Sequence, residues 1–224
     1  MKLLDFSREY PKFKSDVSLW TVRNIHQNIA LPLTYACYKL NIKPNGVTLL
    51  SFLTFLVGSY FFYNSQYYSS ALLWLLSYAL DCTDGALARF TKTGSRFGAF
   101  FDVVIDRIVS TIFLALICVK SIEIGILPYI SIAGSVAIVA YAMVSSIRPL
   151  YFPELKGFAK NNNSIIFQLA KIPYETLDTG NMLVIISLSF AFDFQNYVMI
   201  FYCLLCFSLL VYNLIITYKK FSYN

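Results

Sequence analysis

Charged residues are scarce in this chain. Asp, Glu, Lys and Arg make up 13% of its 224 residues, whereas 58% are hydrophobic and 17% are aromatic. Because a soluble domain carries roughly 25% charged residues, this composition excludes an ordinary soluble globule. A disordered chain is excluded as well, since disorder requires low hydrophobicity and high charge.

Ligands for soft metals are also few. His26 is the only histidine, and the five cysteines lie in or beside apolar runs. Cys203 and Cys206 have a C-x-x-C spacing, but no second pair accompanies them to complete a zinc site. We therefore interpret the cysteines as reduced packing residues, a common role of free cysteine in apolar surroundings.

Long apolar runs predict an all-α polytopic membrane protein with six transmembrane helices. The predicted spans are residues 46–64, 69–90, 97–119, 124–147, 181–194 and 197–217. The fifth is short, because a helix from Met182 to Phe194 measures about 20 Å against a hydrocarbon core of about 30 Å. It either begins earlier or forms a tight hairpin with the sixth span.

The N-terminal region is more polar than the rest. Within residues 17–33, apolar side chains recur at helical spacing with polar ones between them: Leu19, Val22, Ile25, Ile29 and Leu33 against Arg23, His26 and Gln27. This pattern predicts an amphipathic helix that lies along the membrane surface. We expect a single domain over 1–224, with a juxtamembrane surface region (1–43) before a six-helix bundle (44–217).

The basic residues indicate the orientation. With a cytosolic N-terminus, 17 of the 18 Lys and Arg residues fall on the cytosolic side, and only Lys120 falls outside. The positive-inside rule therefore predicts this orientation. The net charge of +6 then reflects topology, and no nucleic-acid partner is expected. We expect an integral protein of a bacterial inner membrane.

Four of the twelve acidic residues lie within 26 positions, at the cytosolic ends of the second and third spans. Asp81 and Asp84 are spaced i, i+3, while Asp102 and Asp106 are spaced i, i+4, so each pair shares a helix face. The short turn KTGS joins the two helices antiparallel. We therefore expect the two carboxylate pairs to face each other.

The charge of this cluster suggests its chemistry. Placing a carboxylate in or near a membrane has a high free-energy cost. Ion pairs with Arg89, Arg96 and Arg107 alone do not account well for the presence of four carboxylates together. Carboxylate oxygens favour hard cations, which predicts Mg²⁺ or Mn²⁺ in preference to zinc. Two such ions can clamp a pyrophosphate, and an uncommitted carboxylate can take a proton from an attacking hydroxyl. Gly85 and Gly98 leave room for a ligand or a close helix approach.

These residues form a longer pattern, Asp81-x2-Asp84-Gly85-x2-Ala88-Arg89-x8-Gly98-x3-Asp102-x3-Asp106. At every fixed position it resembles the signature of the CDP-alcohol phosphotransferase family. A second element, Pro44-Asn45-x-Val47-Thr48 at the start of the first span, is similar to that family's P-N-x-[VLI]-T element. The six-span layout is similar to the family fold too.

The resemblance implies a role for each matched residue. Asp81, Asp84 and Asp102 would hold two Mg²⁺ or Mn²⁺ ions against the CDP pyrophosphate, and Asp106 would be the general base and a further metal ligand. The implied nucleotide- and substrate-binding residues are Asn45, Thr48, Gly85, Ala88, Arg89 and Gly98. Arg148, just past the fourth span, is a further candidate for contact with the donor or an acceptor phosphate.

The resemblance further implies an enzyme of phospholipid biosynthesis that works as a homodimer. It would move a substituted phosphate from a CDP-linked donor to an alcohol and release CMP. We expect CDP-diacylglycerol as donor and a small alcohol or alcohol phosphate as acceptor, since Arg96, Arg107 and Arg148 favour a phosphorylated one. A CDP-ethanolamine or CDP-choline donor with a lipid or saccharide acceptor is the alternative.

A cation transporter or channel is the alternative of another class, because acidic residues can line an ion pathway. Such a pathway needs polar groups through the whole bilayer. The carboxylates of this chain cluster at one end of their helices, and the outer halves of the spans are apolar and aromatic. This placement favours the enzyme.

Overall fold

The computed structural model describes residues 2–15, 21–123, 132–140 and 179–221, and all regular structure in these ranges is helical. The all-α prediction is therefore confirmed for the described residues. The elements are α1 (Leu3–Glu9), a 3₁₀ turn (Tyr10–Lys12), a π turn (Val22–His26), α2 (Gln27–Lys39), α3 (Pro44–Tyr63), α4 (Tyr67–Thr91), α5 (Arg96–Glu123), α6 (Thr179–Ala191) and α7 (Gln195–Phe221). Residues 132–140 are helical as well.

Two helical stretches among the described residues are long and apolar enough to cross a membrane, Pro44–Tyr63 and Gln195–Tyr212. They correspond to the first and sixth predicted spans. Helices α4 and α5 cover the second and third, but their charged residues interrupt the apolar runs. Helix α6 has 13 residues, too few for a core of about 30 Å. The fourth predicted span extends outside the described residues, so the six-span count stays a prediction.

The helix predicted over 17–33 is present from residue 21 and continues to residue 39, but its two faces are not those predicted. The expectation that His26 and Gln27 lie on the polar face is wrong, because both side chains are buried. Ile25, expected on the apolar face, is 41% exposed. A π turn rotates the side chains that follow it relative to a regular α-helix, and periodicity alone does not reveal such a turn.

The buried face of this helix makes specific polar contacts. His26 Nε2 lies 3.2 Å from Asn181 Oδ1 on α6, and its ring packs edge-on against Tyr78 of α4 at 4.6 Å between centroids. Gln27 Nε2 donates to the Ser15 carbonyl at 2.8 Å. These contacts fasten the start of α2 to α4 and α6 and to the chain that precedes it.

The chain divides into two compact units, Met1–Phe113 with Tyr174–Ala191 and Leu114–Pro173 with Phe192–Asn224. The first unit contains α1 to α4, the start of α5 and the whole of α6. The complete aspartate motif therefore lies in this unit. In the second, Lys120 is buried and its Nζ lies 2.9 Å from Glu123 Oε2. The single domain over 1–224 stays a prediction.

Small residues hold α3 against α4. Ser51 Oγ donates to the Ser77 carbonyl, and Ser77 Oγ donates to the Ser51 carbonyl, each at 3.0 Å. Trp74 is fully buried and its Nε1 donates to the Phe55 carbonyl at 3.2 Å. Gly58 lies beside the Trp74 ring, where its lack of a side chain permits the close approach. This contact fixes the register of α3 along α4.

A methyl group at Gly58 should disturb that contact. Its Cβ would lie 2.7 Å from Trp74 Cδ1 and 3.2 Å from Leu73 Cβ, and overpacking of this kind costs about 1–3 kcal/mol. We expect Gly58→Ala to lower the thermal unfolding midpoint of the detergent-purified protein by several degrees. Gly46→Ala in the same helix is the control, since its Cβ would meet only Ile42 Cγ2 at 3.5 Å. Equal midpoints for the two variants would contradict the packing described.

Candidate active site

A cleft of about 450 Å³ opens where α3 begins, α4 ends and α5 begins. The turn of residues 92–95 between α4 and α5 closes one side of it. All the predicted binding residues that lie in the described ranges line this cleft: Asn45, Thr48, Gly85, Ala88, Arg89 and Gly98. Arg148 lies outside the described residues, so its predicted role stays a prediction.

Local sequence signals bring these helix ends together. Pro44 occupies the first turn of α3, where its missing N–H costs no hydrogen bond. Helix α4 ends at Thr91 and is capped by Lys92, which adopts the left-handed conformation (φ 56°) and donates its N–H to the Ala88 carbonyl. Ser95 then caps α5, because its Oγ accepts the Gly98 N–H at 2.9 Å. The chain therefore reverses within a few residues and places both halves of the motif at one end.

Three carboxylates converge beside the cleft. Asp81, Asp102 and Asp106 each offer one oxygen, and these oxygens all lie within 4.8 Å of one another. Asp81 comes from α4, whereas the other two come from successive turns of α5. The expectation that the two helices present their carboxylates to each other is met by these three residues.

The fourth carboxylate has different surroundings. Asp84 is 7% exposed and accepts a hydrogen bond from Thr48 Oγ1 of α3. It lines the cleft together with Asp102, but it does not belong to the close group of three. The i, i+3 spacing predicts a shared face for Asp81 and Asp84, and it gives no sign of the hydrogen bond that Thr48 of α3 donates to Asp84.

The close group suits a hard divalent cation. Its donors are all carboxylate oxygens, the ligands that Mg²⁺ and Mn²⁺ prefer. Oxygens on opposite sides of one Mg²⁺ are separated by about 4.2 Å, since each bond measures about 2.1 Å. A group whose oxygens lie within 4.8 Å is therefore close to the size that one ion requires, and Asp84 and Asp102 extend the acidic surface into the cleft.

The two motif glycines make space for polar side chains. A methyl group at Gly85 would lie 3.3 Å from Arg89 Nη1 and 3.4 Å from Nη2, so the guanidinium folds back over this glycine. A methyl group at Gly98 would lie 3.0 Å from Asn45 Oδ1. The sequence predicted free room at both positions, and the structure shows which motif side chains use it.

Sequence reasoning missed the contribution of the turn. Lys92, Thr93 and Ser95 line the cleft, whereas the sequence pattern predicts only a connector in the KTGS turn. A signal was present, because a turn that joins two motif-bearing helices must lie at the same end as the motif. Lys92 adds a cation to the one that Arg89 supplies.

Comparison with known proteins gives relatives of stated activity. The chain is 42% identical to archaetidylinositol phosphate synthase of Pyrococcus horikoshii over 69 residues, and this stretch is 31% of this chain and 37% of that protein. It is 41% identical to the Arabidopsis thaliana CDP-diacylglycerol–glycerol-3-phosphate 3-phosphatidyltransferase 1 over 30% of this chain and 23% of that protein. It is 32% identical to the bifunctional IPC transferase and DIPP synthase of Archaeoglobus fulgidus over 52% of this chain and 23% of that protein.

The chain thus covers well under half the length of these relatives. The match to a family is broader, because residues 41–212 fit the family described as CDP-alcohol phosphatidyltransferase. That range begins just before α3 and contains the cleft, all four aspartates and both elements on which the resemblance rested. The chain belongs to the CDP-alcohol phosphatidyltransferase family.

Proposed function

We propose that this protein is an integral membrane phosphotransferase that moves a substituted phosphate from a CDP-linked donor to an alcohol and releases CMP. The observation that carries the proposal is the convergence of Asp81, Asp102 and Asp106 beside a cleft lined by the other motif residues. Family membership adds to it. CDP-diacylglycerol is the donor that we favour.

The proposed reaction is a displacement at phosphorus. The acceptor hydroxyl oxygen bonds to the phosphorus that carries the lipid, and the bond from that phosphorus to the CMP oxygen breaks. CMP leaves with the bonding electron pair, and the product is a phosphodiester. The hydroxyl proton passes to the carboxylate of Asp106, which is an exposed residue and so is open to an entering alcohol.

The other carboxylates hold the cations. Asp81, Asp84 and Asp102, with Asp106, would bind Mg²⁺ or Mn²⁺, and two ions are proposed. Bound there, the metal supplies charge neutralisation for a pyrophosphate and stabilises negative charge that develops at phosphorus. Thr48 fixes the orientation of Asp84 through its hydrogen bond.

The remaining cleft residues would bind the donor. Arg89 and Lys92 provide positive charge at the cleft wall, which suits a phosphate group. Asn45 and Thr48 present an amide and a hydroxyl from the first turns of α3. Ala88 keeps the α4 wall low beside the proposed nucleotide site, and Gly85 leaves room for the Arg89 guanidinium that lies over it.

The acceptor that we propose is an alcohol phosphate. One relative is named for an inositol phosphate product and another for a glycerol 3-phosphate acceptor. Inositol 1-phosphate and glycerol 3-phosphate are therefore the first acceptors to test. Arg96, Arg107 and Arg148 provide positive charge for such an acceptor. A CDP-ethanolamine or CDP-choline donor is kept as an arm of the experiment.

The proposed setting is a bacterial inner membrane, crossed six times, with the cleft on the cytosolic side. The charge bias of the loops supports this orientation, because cytosolic loops carry an excess of Lys and Arg. A homodimer completes the proposal. It rests on the family resemblance.

Loss of a cluster carboxylate should weaken metal binding. We expect Asp81→Asn and Asp102→Asn each to weaken Mn²⁺ binding by at least about tenfold, because each removes one of few charged ligands. The measurement is Mn²⁺ titration followed by electron paramagnetic resonance on protein in detergent. Asp5→Asn is the matched control, since Asp5 is exposed on α1 and lies outside the cluster. Equal affinity in all of these proteins would contradict the proposed metal site.

Loss of the base should separate binding from turnover. We expect Asp106→Asn to retain metal-dependent CDP binding and to lose CMP release by about 10²-fold or more, the usual worth of a general base. Asp84→Asn should lose both, since it is proposed to act in binding. CMP release is measured with Mg²⁺ or Mn²⁺, CDP-diacylglycerol, and glycerol 3-phosphate, inositol 1-phosphate, inositol or serine.

The outcomes of this assay differ in what they contradict. Normal turnover by Asp106→Asn would refute the assignment of the base. CDP binding without CMP release in the presence of any of the four alcohols would refute the proposed pairing of donor and acceptor, and CDP-ethanolamine and CDP-choline would be tested next as donors. Absence of CDP binding by the wild-type protein would refute the proposed function.

A further inference from the structure

The chain before α2 contacts the motif arginine. We call residues 3–15 the N-terminal segment, which comprises α1, the 3₁₀ turn and the three residues after it. The Phe13 carbonyl accepts a hydrogen bond from Arg89 Nε. Arg89 lies on the last turns of α4, 76 positions away, and lines the cleft. No sequence motif includes Phe13.

The geometry divides the Arg89 guanidinium between two surroundings. Its Nε faces the Phe13 carbonyl, while Nη1 and Nη2 lie over Gly85, within 3.4 Å of where a methyl group would stand. Gly85 itself lines the cleft. The two terminal nitrogens, which pair best with a phosphate or carboxylate, are therefore held on the cleft side.

The N-terminal segment is anchored firmly enough to hold that carbonyl in place. The Phe90 ring, next in sequence to Arg89, packs edge-on against Phe13 at 4.8 Å and against Phe6 at 5.0 Å between centroids. Phe6 is fully buried. At the far end, the Ser15 carbonyl accepts the Gln27 amide at 2.8 Å.

We propose that the N-terminal segment is a positioning element for the donor site: the Phe13 carbonyl fixes Arg89 so that its terminal nitrogens face the anionic group of a nucleoside diphosphate. An exposed arginine has many rotamers, and ligand binding to a free arginine carries the entropic cost of ordering that side chain. Fixing Nε removes part of this cost before the ligand arrives. The inference rests on the proposed function, because it assigns Arg89 to the donor.

The experiment compares Phe13→Ala with a matched loss of apolar surface in the same segment. Leu4→Ala serves as the control, because Leu4 is 73% exposed on α1. We expect Phe13→Ala to weaken Mn²⁺-dependent CDP binding by about tenfold. The variant keeps the backbone carbonyl of residue 13 but loses the ring that packs on Phe90, so the carbonyl is no longer held against Arg89 Nε and its hydrogen bond to that charged group is weakened. In CMP release, KM for the CDP-linked donor should rise by a similar factor while kcat is retained. Phe13→Tyr, which keeps the ring against Phe90, should restore both values.

A double variant tests whether the effect passes through Arg89. If Phe13 acts by positioning Arg89, then Phe13→Ala combined with Arg89→Ala should bind CDP no more weakly than Arg89→Ala alone. Gln27→Leu, which removes the anchor at Ser15, should weaken CDP binding in the same direction as Phe13→Ala.

Several results would overturn the inference. Multiplied losses in the double variant would mean that Phe13 acts through general stability. Wild-type CDP affinity in Phe13→Ala, with the wild-type protein binding CDP normally, would overturn the inference alone. Failure of the wild-type protein to bind CDP with any metal would overturn the proposed function together with it.

Discussion

Mutual repulsion among the motif carboxylates is the constraint on which the first unit depends. Three of them offer oxygens within 4.8 Å of one another, and a fourth lines the same cleft. Like charges this close destabilise a fold unless rigid packing and a counter-charge hold them. The surrounding elements hold these side chains together, and the proposed cation would neutralise them.

The packing of α3 on α4 supplies much of that rigidity. The reciprocal Ser51 and Ser77 bonds and the buried Trp74 fix the two helices in one register, and that register brings Thr48 opposite Asp84. A shift of one helical turn would leave Asp84 buried without its partner, at the cost of an unsatisfied polar group. The position of Asp84 in the cleft is therefore set by contacts along the whole α3–α4 interface.

Polar contacts of the N-terminal part also fix the position of α4. His26 and Asn181 join the start of α2 to α6, and the Phe13 carbonyl meets Arg89 at the rim of the cleft. Segments far apart in sequence thus converge around α4, which carries Asp81, Asp84 and Arg89. Helix α4 packs against α2, α3, α6 and the π turn, and its small residues permit this close packing.

The sequence alone determined the helical class and the aspartate pairs, because composition and the i, i+3 and i, i+4 spacings are local properties. The other motif residues were identified by the family resemblance. Those spacings also predicted that α4 and α5 would present carboxylates to each other. Only the tertiary structure decided that Asp84 pairs with Thr48, that His26 is buried, and that Phe13 contacts Arg89. Each of these depends on which segment packs opposite a side chain, and the burial of His26 depends also on the π turn that rotates its helix face. Helical periodicity carries no information about partners that lie many residues away.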